Sequence, residues 1–92
     1  MIETSTDSES FTIRVVGQLT VRESGPVKDY LVQALERYRE IVVDLRAVDV
    51  IDLPCLQLLY CAKLLARENA RQQRFRVFLP QGLFKGLADG EP

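Results

Sequence analysis

Three carboxylates and a thiol crowd one stretch of the chain. Asp44, Asp49 and Asp52 are close in sequence, and Cys55 follows Asp52 at the spacing of one helical turn. Three chemistries use such groups. Acid–base catalysis needs two carboxyls held together, but alternation along an extended segment separates Asp44, Asp49 and Asp52. A phosphate cradle needs a glycine-rich loop ahead of a helix. Leu53-Pro54-Cys55 has no glycine, and Pro54 has no N–H. A thiol nucleophile would be Cys55, with its pKa lowered at a helix N-terminus, but the chain has no histidine to act as its base. The same absence removes Ser-His and Cys-His catalysis and every histidine-containing metal site within the chain. The plainer roles are a helix N-cap for Asp52, a small buried apolar residue for Cys55, and a solvated or loop-bonded carboxylate for Asp44.

These residues need a strand and a helix to place them. Ile41-Val42-Val43-Asp44-Leu45 is an apolar run of the kind found in a central strand. A short turn is expected after it, then a helix from about Leu53 to Asn69, capped by Asp52, with Pro54 tolerated in the first turn. A strand running into a helix start is where α/β domains place ligand and partner sites. Upstream, Phe11, Ile13 and Val15 alternate with Thr12 and Arg14 as in a half-buried strand. Gly17 marks a bend or bulge, and Gln18 to Val21 extends from it. Val27, Tyr30, Leu31, Ala34, Leu35 and Tyr38 have amphipathic helical spacing, with Ser24 as N-cap and Pro26 in the first turn. Arg37 and Arg39 suit that helix's C-terminus. Arg74 to Leu79 reads as a further strand stopped by Pro80, with Phe75 and Phe78 facing the core. Met1 to Thr4 is a candidate edge strand, residues 81–87 a short helix, and residues 88–92 a fraying end. The order strand, helix, strand, helix, strand favours a mainly parallel sheet with right-handed crossovers.

Composition narrows the function. The chain has 92 residues, 47% of them hydrophobic, and a net charge of −1. That is enough apolar material for the core of one domain over residues 1–92, with residues 1–10 and 88–92 as loose ends. The charge argues against nucleic acid or an anionic membrane as the main partner. Arg67, Arg71, Arg74 and Arg76 read as a solvated cationic helix end, because no aromatic platform is interleaved with them. Cys55 and Cys61 are too far apart on one helix for a disulfide and form no Cys-x-x-Cys pair, which suits a reducing cytoplasm. No signal peptide is expected at the N-terminus. The run from Leu53 to Ala66 is interrupted by Gln57 and Lys63 and is too short to span a bilayer. No cofactor or metal is expected.

The second helix has two distinct faces. Cys55, Leu58, Leu59, Ala62, Leu65 and Ala66 form an apolar stripe expected to meet the sheet. Gln57, Tyr60, Cys61, Leu64, Arg67 and Glu68 fall on the opposite side. An apolar group of Tyr60, Cys61 and Leu64 with a polar rim has two readings. It is a docking surface, or it packs beneath the C-terminal segment.

The run from Gly17-Gln18-Leu19-Thr20 through the amphipathic helix to Ile41-Val42-Val43-Asp44-Leu45-Arg46-Ala47-Val48-Asp49-Val50-Ile51-Asp52 resembles the STAS domain, the family that includes bacterial anti-sigma factor antagonists. Leu56-Gln57-Leu58-Leu59 is similar to a subgroup of short bacterial STAS proteins, some associated with chemotaxis operons or lipid transport. The resemblance implies an α/β fold, a mixed and mostly parallel four-stranded sheet flanked by helices, and protein binding around the start of the second helix. Taken together with the exposed face of the second helix, it gives an expected partner-binding set of Asp52, Leu53, Pro54, Gln57, Tyr60, Cys61 and Leu64. In the antagonists the matching aspartate is followed by two hydroxyl residues and a glycine, and the second hydroxyl is phosphorylated. Here those positions hold Leu53, Pro54 and Cys55. No Ser or Thr occurs after Ser24, so this turn has no phosphoryl acceptor. The chain also stops where the family usually continues through a final strand or helix. The expected function is a cytoplasmic, non-enzymatic module that binds an anti-sigma factor, a kinase-like protein or a chemosensory component, without membrane insertion, and compatible with a homodimer. The alternatives are the small STAS subunit of a lipid-transport ATP-binding cassette complex and a thiol redox protein using Cys55.

Overall fold

A computed structural model describes residues 1–68 and 73–80. The chain forms β1 (Ile2–Thr6), β2 (Ser10–Leu19), α1 (Val21–Arg37), β3 (Glu40–Ile51), α2 (Leu53–Glu68) and β4 (Arg74–Phe78). The strands make one sheet in the order β1-β2-β3-β4. β1 runs antiparallel to β2, while β2, β3 and β4 are mutually parallel. Both β-helix-β crossovers step the same way across the sheet, so their shared handedness puts α1 and α2 on one face. The core lies between that face and the helices. It takes Phe11, Ile13, Val15, Ile41, Val43 and Leu45 from the strands, Val27, Leu31 and Ala34 from α1, and Cys55, Leu59 and Ala62 from α2. The alternation expected of β2 and the stripe expected of α1 are both present. The expected edge strand is β1, extended to Thr6.

Four expectations are corrected. First, α1 starts at Val21, with Thr20 as N-cap. The N–H groups of Glu23 and Ser24 both donate to the Thr20 carbonyl. The Ser24 hydroxyl donates to the Val21 carbonyl at 2.7 Å instead of capping, and Pro26 sits inside the helix. Second, no turn separates Leu45 from Asp52. β3 continues to Ile51, and two register shifts against β2, between Arg14 and Val16 and between Gly17 and Gln18, absorb the mismatch. Gly17 has φ +93°, a left-handed value that glycine adopts without a side-chain clash. Asp44 is therefore within a strand, not at its end. Third, Phe78 does not face the core. β4 pairs Phe75 with Ile41 and Val77 with Val43, which leaves Arg74, Arg76 and Phe78 on the open face. There the guanidinium carbons of Arg46 and Arg76 stand 5.1 and 5.2 Å from the Phe78 ring centroid, within cation–π range. Fourth, Leu65 is 57% exposed. The buried stripe of α2 is Cys55, Leu59, Ala62 and Ala66. Two alanines let the helix lie close to the sheet, and the stripe is too narrow to include Leu65. The opposite sheet face is not covered by a helix from the described residues, and Arg14 and Arg46 are exposed on it. The expected helix at 81–87, the end at 88–92 and Arg71 lie outside the described residues.

Gln73 is buried just ahead of β4. Its Nε2 donates to the carbonyls of Tyr38 at 2.6 Å, Leu35 at 2.9 Å and Ala34 at 3.4 Å. A side chain more than thirty residues downstream thus adds a donor at the C-terminus of α1, where helix carbonyls run out of intrahelical donors.

Candidate functional site

The site forms where β2 and β3 end and α1 and α2 begin. Asp52 joins these elements. Its N–H donates to the Leu19 carbonyl at 3.2 Å, and its own carbonyl accepts the Leu56 N–H at 3.2 Å. One carboxylate oxygen, Oδ1, accepts the Cys55 N–H at 3.2 Å, the N-cap geometry expected from the sequence. The other, Oδ2, accepts the Val21 N–H at 3.0 Å and so caps α1 as well. One carboxylate therefore stands between the positive ends of two helices. The hydrogen bond with the Cys55 thiol, helped by the N–H groups of Cys55 and Val21, holds the Asp52 carboxyl below the usual carboxylate range.

Cys55 has the opposite electrostatics. It is 1% exposed, and burial, then the hydrogen bond to Asp52 and the negative charges of Asp52 and Glu23, push its thiol up to about 12. A nucleophile at neutral pH requires the reverse shift. Burial and this shift both disfavour the alternative of a Cys55-based redox protein.

The other carboxylates do not join Asp52. Asp44 lies on the open sheet face and is gripped by the Arg46 side chain, Nε to Oδ1 at 3.0 Å and Nη2 to Oδ2 at 2.9 Å. That side-chain bond lowers its pKa to about 2. Asp49 is exposed on β3. Among the described residues no group of cysteines and carboxylates could hold a metal ion, and no helix is long and apolar enough to cross a membrane.

The sequence-expected binding set falls along one side of α2. Leu53, Gln57, Tyr60 or Cys61, and Leu64 recur at helical spacing and all are exposed. Leu53 is 65% exposed, Tyr60 63% and Leu64 38%. Pro54 is exposed beside Leu53 in the first turn. Sequence reasoning missed two apolar neighbours of this surface. Leu65, expected on the buried stripe, is exposed beside it. Val21, 66% exposed, stands at the start of α1, and its N–H reaches Asp52. Only a longer α1 could have revealed Val21, and Pro26 hid that length.

The model of the family described as "Mlab, STAS domain" matches residues 2–81. The chain belongs to the STAS family. Solved structures share the fold of this STAS domain. The Bacillus anti-sigma factor antagonist SpoIIAA in its unphosphorylated form superposes with a TM-score of 0.78 at 14% identity, covering 100% of this chain and 84% of that one. An anti-sigma factor antagonist from Mycobacterium paratuberculosis gives 0.73 at 14% identity, with 100% and 82% covered. The STAS domain of an anti-sigma factor antagonist from Rhodobacter sphaeroides gives 0.55 at 25% identity, with 85% and 82% covered. No curated protein matches the sequence significantly.

Proposed function

We propose that this STAS domain is a non-catalytic, cytoplasmic docking module whose contact surface is the exposed side of α2, namely Leu53, Pro54, Gln57, Tyr60, Cys61 and Leu64, with Asp52 fixing the turn from which it projects. The observation that carries this reading is the row of outward-facing Leu53, Tyr60 and Leu64 on a helix whose opposite side already fills the core. Isolated exposed apolar residues need no explanation, but a row of them leading away from a doubly capped helix start has the form of a docking surface.

The partner in this reading is a regulatory protein, either an anti-sigma factor or kinase-like protein or a chemosensory component. The structural relatives named as anti-sigma factor antagonists support that class. Binding is not switched by phosphorylation of the α2 turn. Pro54 stands at the family's acceptor position, and the first turn of α2 holds no hydroxyl. A phosphoryl group there would add about two negative charges beside Asp52, which already occupies the nearby N–H groups.

The test is co-expression with the products of adjacent genes, followed by calorimetry on any complex that forms. Tyr60→Ala is expected to weaken binding about 30-fold, the effect of losing an aromatic anchor worth about 2 kcal/mol. Val32→Ala, at an exposed position of α1, is expected to leave binding unchanged. Equal effects of the two substitutions, or phosphate mapped to the α2 turn in protein recovered from cells, would defeat the reading.

A second reading keeps the surface and changes the partner to the ATPase of a lipid-transport ATP-binding cassette complex. The match to one particular STAS subgroup favours keeping it. A permease and an ATPase encoded next to this chain, with the ATPase captured through Tyr60, would select it over the first.

A further inference from the structure

We infer that two copies of this chain pair edge to edge through β1, antiparallel and centred on Thr4, to make one continuous sheet. The argument begins with the direction of the backbone groups in β1. Met1 and Val16 exchange two hydrogen bonds, the Met1 amino group to the Val16 carbonyl at 3.1 Å and the Val16 N–H to the Met1 carbonyl at 2.9 Å. Hydrogen-bonded and non-bonded pairs alternate along an antiparallel ladder. With Glu3 opposite Arg14 and Ser5 opposite Thr12, Met1, Glu3 and Ser5 direct their N–H and C=O groups inward to β2. Asp7, whose N–H donates to the Ser10 carbonyl at 3.0 Å, keeps the same parity. Ile2, Thr4 and Thr6 therefore direct theirs outward, away from the sheet.

That outward row is self-complementary. An antiparallel copy centred on Thr4 places Thr4 opposite Thr4, Ile2 opposite Thr6 and Thr6 opposite Ile2. Each outward donor then meets an outward acceptor. The one charge on the strand, Glu3, meets Ser5 and not a second Glu3, so no like charges oppose each other. Edge strands that stay single are usually protected by proline, lysine or a bulge. β1 has no proline, lysine or bulge, and its one charge, Glu3, lies at an inward-bonded position, whereas the other edge, β4, carries Arg74 and Arg76.

The helix layers allow this pairing. Facing residues in a sheet put their side chains on the same side, so both copies keep α1 and α2 on one face of the joined sheet. α1 packs on β2, with Phe11 between the rings of Tyr30 and Tyr38. Two β2 strands separated by two β1 strands stand about 14 Å apart at about 4.8 Å per step. The two α1 helices over them thus have more than the 8–10 Å axial separation of packed helices. Both α2 faces point the same way, which makes the pair a bivalent version of the docking module.

Sedimentation equilibrium of the full chain from about 10 µM to about 1 mM tests the inference, because pairing of two short strands forms a small and therefore weak interface. Reductant prevents crosslinking through exposed Cys61. The mean mass is expected to rise from 10.5 kDa toward twice that value. Thr4→Pro removes an outward N–H that β1 does not use for β2, so it should hold the mass at 10.5 kDa while the circular dichroism stays native. Thr4→Lys and Thr4→Glu should each weaken pairing at least tenfold, and an equimolar mixture should restore it, because only the Thr4-centred register places these residues face to face. A mass of 10.5 kDa at every concentration, or unimpaired self-association of Thr4→Pro, overturns the inference. A monomer whose binding to another protein is lost in Thr4→Pro also overturns it and assigns the edge to that protein's strand.

Discussion

Replacing Gln73 with leucine tests the joint that holds α1 to the start of β4. The substitution keeps an apolar stem of similar size and removes the donors that reach Tyr38 at 2.6 Å and Leu35 at 2.9 Å. A hydrogen bond contributes about 1 kcal/mol net, and a buried carbonyl deprived of its donor costs about 1–3 kcal/mol. The Ala34 carbonyl is less affected, because it keeps the Tyr38 N–H at 2.9 Å. Leucine regains part of the loss by burying carbon. The sum is a destabilisation of about 2–3 kcal/mol. A domain of this size loses about 4–8 °C per kcal/mol, so thermal unfolding followed at 222 nm should shift down by roughly 10–20 °C. Gln73→Glu sharpens the test. An ionised carboxylate would face carbonyl oxygens at the negative end of α1, so its folded-state pKa rises above the unfolded value. Its destabilisation is relieved as pH falls below that raised pKa and returns as pH climbs through it. Partner binding by α2 should survive, since the 17-residue α1 separates Gln73 from Val21 by about 25 Å. A leucine variant melting within about 3 °C of the parent, or a glutamate variant indifferent to pH, would show that the Gln73 bonds add nothing to stability.

Three further outcomes follow from single sites. Gly17→Ala should destabilise by about 1–2 kcal/mol through its positive φ alone, since a Cβ there meets no atom within 4 Å, whereas Gly25→Ala, inside α1 with equally open surroundings, should stabilise by about 0.5–1 kcal/mol; denaturant titration gives both signs. At neutral pH an alkylating reagent should label exposed Cys61 and spare Cys55 until the chain unfolds, as peptide mass mapping over time will show. Asp44 titrates at about 2 when folded, so the stability from its pairing with Arg46 is present above the usual carboxylate range and lost as pH falls from about 4 to about 2. Asp44→Asn should flatten that acid limb. Solvent screening of Arg46 keeps the effect near 0.5–1 kcal/mol.

Local patterns in the sequence identified most of the elements. The alternation in β2, the stripe of α1, the apolar start of β3 and the buried side of α2 each follow from one period of hydrophobicity. Asp52 was legible as a cap because its partner, Cys55, is three residues away. Its second partner was not, because Val21 is 31 residues distant and only the sheet brings it near. Gln73 was invisible for the same reason, as its acceptors lie 35 to 39 residues back. The length of β3 was hidden by bulges that disturb strict alternation after Asp44. Phe78 was misplaced because Phe75 and Phe78 have opposite parity, and only the pairing of Phe78 with Asp44 settles which face each takes.

The electrostatics of the α2 turn set a last expectation, which rests on the proposed docking surface. Partner affinity should be flat from about pH 5.5 to about pH 7.5 as far as this chain controls it, a range in which histidine is the side chain that ordinarily titrates. No histidine is present. The Asp52 carboxyl is held low by the Cys55 thiol and two N–H groups, and the Cys55 thiol is held up at about 12. Each shift keeps its group in one charge state across the range. The turn also has no hydroxyl to esterify, so neither protons nor phosphate can alter its charge from within. Calorimetry in buffers of different ionisation enthalpy would separate proton uptake by this chain from buffer effects, with the isolated partner titrated alone for reference. A change in affinity above about threefold, or about 0.65 kcal/mol, with no titrating group on the partner's contact surface would mean that the turn does change its charge. The assignment of Asp52 and Cys55 as a fixed structural pair would then be wrong.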